Sequence, residues 1–398
     1  MKNPACSADV DSDMLIDKIK FTIIYIYVIL KKTQVDNSTI MLFSKEDAMS
    51  ISIAEAKKLI SSVPRVELGF LPTPLHKLEN LSSMLGINIF IKRDDYTGKN
   101  LFGGNKTRKL EFLIGEAIHQ KSEYVFTYGA TQSNHAMQTV WAASSHNLKP
   151  VLYLVAVVEP DENDVKANLL LDKIFDAEIH IVSPEKGESF TKADKRSLLL
   201  GSEHIKRLEE AGHKCYNIPM GGASKIGTAG YISGFVELYE QAQQMGINFD
   251  YLYHATGSGG TMAGLVAGKK LLGADTIIKS MAVLDTDDNY IPYKTELANE
   301  ALKYIGAAPL VDVSDFQIDT GFYAPGYEQP NEGAIESIKL LAKKEGILTD
   351  PVYSGKALSG LIDDVRTGKI KQGSNVVFLH TGGATALFAE KEILGRLF

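Results

Sequence analysis

Residues 103–109 read Gly-Gly-Asn-Lys-Thr-Arg-Lys, and their composition predicts a tight turn that opens into a helix. Apolar residues follow at spacings of three and four, which is typical of an amphipathic helix. These residues are Leu110, Leu113, Ile114, Ala117 and Ile118. We expect Asn105 to be the N-cap of this helix.

Lys106 therefore lies at the N-terminus of a predicted helix, where the helix dipole and unpaired N–H groups disfavour positive charge. If it is also partly buried, this lysine should lose its proton more easily than a surface lysine. A neutral amine is the form that captures an aldehyde. Taken alone, an exposed lysine at a helix start is the commoner explanation, so the interpretation depends on the rest of the chain.

Outward from this stretch, strands alternate with helices along the chain, which predicts an open, mostly parallel α/β architecture. The expected strands are 88–92, 124–128, 151–158, 179–182, 216–218, 251–255, 280–284 and 375–380. The expected helices, besides the one after residue 104, include 164–175, 195–210, 262–272 and 331–345.

The composition is that of a soluble globular protein of 398 residues, with 44% hydrophobic and 23% charged residues. A net charge of −7 argues against general affinity for nucleic acid. Two cysteines, Cys6 and Cys215, rule out a disulfide framework and suit a reducing compartment, so we predict a cytoplasmic protein. We assign no metal ligands from the sequence.

The first 45 residues differ from the rest, and we interpret them as an N-terminal tail of unknown role. The apolar run at 21–30 is shorter than the roughly 20 residues that span a bilayer. Acidic residues precede it and no small-residue cleavage site follows, so it does not resemble a signal peptide. We therefore predict no membrane association.

The loop at 256–261, Thr-Gly-Ser-Gly-Gly-Thr, joins a predicted strand to a predicted helix, where open α/β sheets bind ligands. Its glycines and hydroxyls are suited to a phosphate. It matches neither the Walker pattern nor the dinucleotide pattern, since Met262 stands where a third glycine belongs. A phosphate bound here should thus belong to a ligand smaller than a nucleotide. If this loop is considered alone, a glycine-rich turn that binds no ligand explains it equally well.

Residues 132–135, Gln-Ser-Asn-His, form a second loop of this kind and could hold a substrate carboxylate. A Ser or Asn N-cap is the commoner explanation of such residues taken alone. Tyr327 and Tyr353 lie in two further polar turns, and each taken singly is more often a packed aromatic than a catalyst.

Together these segments resemble the pyridoxal-phosphate enzymes of the tryptophan-synthase-β-like fold, in the branch of D-cysteine desulfhydrase and 1-aminocyclopropane-1-carboxylate (ACC) deaminase. The similarity extends from about residue 64 to the end. The segments that carry it are 91–95, 103–109, 132–135, 324–333, 348–356 and 380–387. The resemblance implies two open, mostly parallel twisted sheets flanked by helices, with pyridoxal 5′-phosphate in the cleft between two domains.

The resemblance also implies a role for each matching residue. Lys106 would hold the cofactor as a Schiff base and move the proton at the substrate α-carbon. Ser133, Tyr327 and Tyr353 would act on the substrate. The residues implied to contact the cofactor are Lys106, Asn105, Asn134, Thr256, Gly257, Ser258, Gly259, Gly260, Thr261 and Ser354. Those implied to contact the substrate are Ser133, Asn134, His135, Tyr327 and Thr381.

The expected domain division places the small domain at residues 107–215. Residues 46–106 and 216–398 would form the large, cofactor-binding domain. The resemblance further implies a homodimer acting on a small amino acid.

Ser354 follows Tyr353 where the deaminase has a glutamate, and Thr381 stands where the deaminase has leucine. A carboxylate beside the pyridine nitrogen keeps it protonated and strengthens the electron sink, which opening a cyclopropane ring plausibly needs. Both differences favour α,β-elimination of D-cysteine to pyruvate, hydrogen sulfide and ammonia. ACC deamination, β-elimination from another D-amino acid, and a non-catalytic phosphate- or nucleotide-binding protein remain the alternatives.

One position departs from the pattern of the branch. Relatives usually have a basic residue two positions after His135, and here it is Met137. If that charge helps to hold the substrate in the relatives, the substrate specificity of this chain differs from theirs.

Overall fold

The computed structural model describes residues 50–100, 102–308 and 310–397, and from Ile51 onward they belong to one compact unit. The predicted tail at 1–45, its apolar run and Cys6 lie outside the described residues. Among the described residues, no helix has the length and apolar character needed to cross a membrane.

Ten strands occur in the described part of the chain. They are β1 (Leu75–Lys77), β2 (Asn88–Arg93), β3 (Tyr124–Ala130), β4 (Lys149–Val155), β5 (Glu178–Val182), β6 (Cys215–Asn217), β7 (Tyr251–Thr256), β8 (Ile277–Ala282), β9 (Gln317–Asp319) and β10 (Asn375–His380).

Twelve α-helices accompany these strands in the same described residues. They are α1 (Ile53–Ile60), α2 (Glu79–Leu85), α3 (Asn105–His119), α4 (Asn134–Ser144), α5 (Ala167–Ile174), α6 (Phe190–Glu210), α7 (Lys225–Gln244), α8 (Gly260–Leu272), α9 (Tyr290–Tyr304), α10 (Glu332–Glu345), α11 (Ser354–Arg366) and α12 (Lys391–Leu394).

The strands form two sheets, as the sequence predicts. A six-stranded sheet has the order β1-β2-β10-β7-β8-β9, and a four-stranded sheet has the order β5-β4-β3-β6. Only β1 pairs antiparallel, with Leu75 opposite Lys92; the other pairings are parallel, such as Val377 with Phe90 and Thr127 with Leu152. The predicted fold class is therefore confirmed.

The four-stranded sheet takes its strands from residues 124 to 217, and the six-stranded sheet takes its strands from the segments on either side. The domain boundaries at 106/107 and 215/216 stay a prediction, because strand membership alone does not fix where a domain begins.

Most predicted elements are confirmed within a few residues, and β10 is confirmed at the predicted residues. The strand expected at 151–158 ends at Val155, since the chain then turns towards Pro160, a residue that cannot donate to a sheet. Three residues carry little periodicity, and of the three strands of this length only β6 was predicted, at 216–218, whereas β1 and β9 were not.

Helix α9 was also missed, although its apolar residues recur at helical spacing. These are Leu297, Ala298, Ala301 and Leu302, all buried.

Helix α3, which carries the lysine stretch, packs closely against α7. A Cβ atom at Gly230 of α7 would collide with the carbonyl oxygen of Arg108, so only glycine permits this approach. The contact fixes the distance between α3 and the helical layer that covers the six-stranded sheet.

Candidate active site

The carboxyl ends of strands from both sheets meet at a cavity of about 300 Å³. Strand β3 reaches it with Gly129 and Ala130, β7 with Ala255 and Thr256, and Thr381 follows β10. This is the edge at which parallel α/β sheets bind ligands, because loops and helix N-termini converge there.

The structure brings most of the predicted site residues together around this cavity. Those that line it are Asn105, Lys106, Ser133, Asn134, His135, Thr256, Gly257, Ser258, Gly259, Thr261, Tyr327, Tyr353 and Thr381. Gly260 and Ser354 are not part of its wall. Gly260 is the first residue of α8, and Ser354 is the first residue of α11.

Asn105 is the first residue of α3 and not its N-cap, so that prediction is wrong. Gly104 occupies the cap position in an extended conformation. The Asn105 side chain instead donates to Thr261 Oγ1 at 3.0 Å, and its backbone N–H donates to the carbonyl of Thr381 at 3.0 Å. Asn105 thus ties the lysine helix to the 256–261 loop and to the end of β10.

The amine of Lys106 lies in the cavity, where it donates to Asn105 Oδ1 at 3.0 Å. Its nitrogen is 5.9 Å from the centre of the Tyr353 ring. Burial lowers the pKa of Lys106 to about 8, with the carboxylate of Asp350 opposing the shift in part. A substantial fraction of this amine is therefore neutral near physiological pH, in agreement with the direction that the sequence predicts.

The 256–261 loop leads into the N-terminus of α8, and a second lysine lies against it. Lys109 is buried and donates to the carbonyl of Gly221 at 3.1 Å. A Cβ atom at Gly260 would lie 3.0 Å from its amine, so the glycine leaves room for the lysine. Burial, together with Lys106 and Lys294 nearby, lowers the pKa of Lys109 well below the usual value.

A third lysine supports the same loop from outside. A Cβ atom at Gly259, whose φ is +82°, would collide with the Lys294 side chain, which is itself buried. Burial lowers the pKa of Lys294 to about 8. The hydroxyl of Tyr290 donates to the carbonyl of Gly257 at 2.7 Å and holds the loop in position.

All three lysines have lowered pKa values, and two of them, Lys109 and Lys294, lie against the glycine-rich loop at the N-terminus of α8. An anion bound there would be stabilised by their charges and by the backbone N–H groups. Lys109 and Lys294 were not predicted. Lys109 belongs to the 103–109 stretch, whereas Lys294 lies on the missed helix α9.

The loop before α4 both caps that helix and lines the cavity. Ser133 is the N-cap of α4 and accepts from the N–H of Ala136 at 3.2 Å, and it also lines the cavity. Asn134 accepts from Asn168 Nδ2 at 2.9 Å and from Thr385 Oγ1 at 3.1 Å. Met137 is buried in α4 and does not line the cavity.

His135 is buried in this loop, with Nε2 2.9 Å from Thr127 Oγ1. Burial and the nearby charges of Lys106 and Lys109 lower its pKa well below the usual range. The imidazole of His135 at the base of the cavity is therefore neutral.

Tyr327 and Tyr353 face the lysine from the opposite wall. Their hydroxyl oxygens are 2.5 Å apart and their rings meet at 73°. Burial raises the pKa of both tyrosines. Both hydroxyls therefore stay protonated at neutral pH and can donate hydrogen bonds.

Ser354 lies beneath this wall. Its hydroxyl donates to the buried carboxylate of Asp350, which also accepts from the backbone N–H groups of Val352 at 2.9 Å and Tyr353 at 2.7 Å. Asp350 therefore orders the turn that carries Tyr353. No feature of Asp350 taken singly indicated this role in the sequence.

Arg108, two residues after Lys106, anchors the lysine helix from its buried side. Its guanidinium donates to Asp94 at 2.7 and 2.8 Å and to Glu237 at 2.8 and 3.0 Å. The hydroxyl of Tyr231 donates to Asp94 at 2.7 Å. This network links α3 to the end of β2 and to α7.

Comparison with known proteins gives the class of the chain. The profile of the family described as "Pyridoxal-phosphate dependent enzyme" matches residues 66–382, and the chain belongs to that family. A D-cysteine desulfhydrase of Serratia proteamaculans is 36% identical over 332 residues, covering 83% of this chain and 97% of that protein.

A Pyrococcus furiosus protein provisionally named as an ACC deaminase is 39% identical over 336 residues, covering 84% of this chain and 96% of the relative. The crystal structure of an ACC deaminase homologue aligns with a TM-score of 0.74 and 34% identity, over 84% of this chain and 96% of that one. The chain is accordingly a pyridoxal-phosphate-dependent lyase of the type to which these relatives belong.

The residues of the cavity fit this cofactor. Lys106 presents an amine with a lowered pKa to the cavity, as the aldehyde of the cofactor requires. The 256–261 loop, the N-terminus of α8 and Lys109 are placed where they would hold its phosphate. Both ends of the cofactor therefore have complementary partners in one cavity.

Proposed function

We propose that this chain catalyses the α,β-elimination of D-cysteine. In the balanced reaction, D-cysteine and one water give pyruvate, hydrogen sulfide and ammonia. The bonds from the α-carbon to its hydrogen and from the β-carbon to sulfur break, and the remaining enamine is hydrolysed.

The preference for D-cysteine elimination over ACC deamination rests on the identity of the residue after Tyr353. Ser354 offers a hydroxyl, which Asp350 already engages, where the deaminase branch carries a glutamate. A hydroxyl cannot supply the negative charge that keeps a pyridine nitrogen protonated. Expulsion of a thiolate needs a weaker electron sink than opening a cyclopropane ring, so the serine favours elimination.

Pyridoxal phosphate, when bound, supplies the electron sink for the pair left at the α-carbon. Lys106 is the group of this chain that moves the proton at that carbon. Its amine can accept a proton because burial has already lowered its pKa to about 8.

The paired hydroxyls of Tyr327 and Tyr353 are suited to donate hydrogen bonds to the departing sulfur. Burial raises the pKa of each hydroxyl, so both are protonated at neutral pH and act as hydrogen-bond donors. The hydrogen bond between them allows one hydroxyl to stabilise the charge that develops on the other.

The N-terminus of α4 is suited to the substrate carboxylate. The Ser133 hydroxyl accepts from the Ala136 N–H, which leaves its own hydrogen available to donate. The positive end of this helix, 11 residues long, adds attraction for an anion.

The test is a substrate panel on the purified, cofactor-loaded full-length protein: D-cysteine, L-cysteine, D-serine, β-chloro-D-alanine and ACC. We expect sulfide and pyruvate from D-cysteine with the highest kcat/KM of the panel. A higher kcat/KM for 2-oxobutyrate release from ACC would overturn the proposal in favour of deamination.

Two variants control the panel. Lys106→Ala should lose the near-visible absorbance of the lysine-bound cofactor and the adduct that borohydride traps. Lys99→Ala, a partly exposed lysine outside the cavity, should keep both. Retention of the trapped adduct in Lys106→Ala would contradict the assignment of this lysine.

A further inference from the structure

Three potential metal ligands meet on the surface of the four-stranded sheet, outside the cavity. Glu178 and His180 belong to the edge strand β5 and point to the same face, since they are two residues apart. His204 comes from α6, which packs across that face. Among the described residues, no other group of three or more His, Cys, Asp or Glu side chains converges so closely.

The donor atoms are spaced as a small coordination site requires. Glu178 Oε1 lies 2.7 Å from His180 Nε2 and 3.8 Å from His204 Nδ1. All three ligand atoms lie within 4.8 Å of one another. In a tetrahedral zinc site with bonds of about 2.1 Å, neighbouring ligand atoms are about 3.4 Å apart. The two measured distances bracket that value.

Aromatic residues hold both imidazoles in place. Tyr153 lies opposite His180 in the β4–β5 pairing and stacks on its ring, with centroids 4.5 Å apart and planes at 11°. Phe126 meets the His204 ring edge-on with centroids 5.2 Å apart. These ring contacts orient both imidazoles before any ion binds. The Tyr153 hydroxyl is 3.2 Å from His204 Nδ1, the nitrogen that faces Glu178, so a bound ion would take the place of this hydrogen bond.

We propose that Glu178, His180 and His204 form a binding site for Zn²⁺. Two imidazole nitrogens and one carboxylate are a ligand set of borderline divalent metals and not of hard cations. His180 and Glu178 are 39% and 47% exposed, so water can occupy the remaining position. Arg207 and Glu203, both on α6 and near the site, carry opposite charges, so their effects on a bound cation oppose each other.

The bound ion joins an edge strand to the helix that covers it. Within the part of the chain that the structure describes, strand β5 pairs on one side only, with β4, and its outer edge has no partner strand. A metal bridging β5 and α6 adds a link between residues 26 positions apart in the sequence, from 178 to 204. We therefore assign this site a stabilising role and no part in the chemistry of the cavity.

The test is titration of the cofactor-loaded full-length protein with Zn²⁺ against a colorimetric chelator. We expect one tight equivalent per chain, and an affinity at least about tenfold weaker in His180→Ala and in Glu178→Gln. Both residues are exposed enough for these variants to fold. His213→Ala is the matched control, because His213 and Glu123 form a similar surface pair, 3.0 Å apart, to which no third ligand is added by the residues that the structure describes.

A second measurement separates a site from adventitious binding. Saturating Zn²⁺ should raise the Tm of the unaltered protein and of His213→Ala by about 2–4 °C, and should leave the Tm of His180→Ala unchanged. Equal zinc affinity in His180→Ala and His213→Ala would overturn the proposal. Mg²⁺ binding as tight as Zn²⁺ binding would overturn it as well, since Mg²⁺ prefers oxygen ligands.

Discussion

The hydroxyl oxygens of Tyr327 and Tyr353 lie 2.5 Å apart on the wall of the cavity that also contains the Lys106 amine. The two tyrosines are 26 residues apart in the sequence, and each has its pKa raised by burial. Each hydroxyl is therefore the hydrogen-bond partner of the other, and burial keeps both protonated.

Removing either hydroxyl should impair turnover without loss of the cofactor. We expect Tyr327→Phe or Tyr353→Phe to lower kcat for D-cysteine about 100-fold, because a hydrogen-bond donor aimed at developing charge contributes that order of rate. The double variant should lose little more than either single variant, since the two hydroxyls act as a unit. Tyr239→Phe, stacked on Phe235 away from the cavity, is the control in steady-state assays of sulfide release. Fully additive losses would contradict the paired role.

Lys109 should govern cofactor affinity and not covalent attachment. Lys109→Met removes one charged donor from the phosphate cradle, which corresponds to about 10- to 100-fold weaker binding of pyridoxal phosphate. The borohydride-trapped adduct at Lys106 should still form when the cofactor is in excess. Fluorescence titration of the cofactor-free protein measures the affinity, with exposed Lys206→Met as the control. An unchanged dissociation constant would exclude Lys109 from the cradle.

The pH dependence of cofactor capture follows from the lowered pKa of Lys106. Below about pH 8 the amine is mostly protonated, so the rate of adduct formation should rise about tenfold per pH unit. Above that pH the neutral form predominates and the rate should level off. Stopped-flow absorbance of the cofactor-free protein mixed with pyridoxal phosphate measures the profile. A rate that keeps rising steeply to pH 10 would indicate an ordinary lysine.

Arg108 should determine stability through its two-carboxylate network. Arg108→Lys keeps the charge but loses the planar fork that bonds Asp94 and Glu237, which should lower the free energy of unfolding by about 1–3 kcal/mol. Arg108→Met leaves buried Asp94 without its main cation and should cost about 3–5 kcal/mol.

Urea unfolding followed by circular dichroism measures both changes. Arg207→Lys, at an exposed position on α6, should leave the midpoint unaltered. Equal midpoints for Arg108→Lys and the unaltered protein would show that the fork geometry does not matter.

Local patterns in the sequence were sufficient for the open α/β architecture, and the family resemblance assigned most of the residues that line the cavity. Hydrophobic periodicity depends on neighbouring residues only, so β10 and the parallel strands could be predicted from it. The 256–261 loop and the Ser133 loop each follow a predicted strand, and the family resemblance implied that both contact one cofactor. Their strands belong to different sheets, whose carboxyl ends meet at the cavity. Lys106 stood out because it begins a helix after two glycines.

Other features depend on residues that are distant in the sequence. The cap predicted for Asn105 was wrong because its side chain found Thr261, 156 positions away. Lys294 could not be linked to the phosphate loop, since its position follows from how α9 packs beside that loop. Ser354 has its hydroxyl engaged by Asp350, a contact that sequence alone does not reveal.

The sequence by itself determined that this chain alternates strands with helices, and that its glycine-rich and polar loops follow strand ends, because these properties arise from short-range spacing. The tertiary structure alone decided which charges converge: Lys109 and Lys294 on one loop, and Glu178, His180 and His204 on one sheet face. Convergence requires the strand order and helix packing, which result from burying apolar surface over the whole chain.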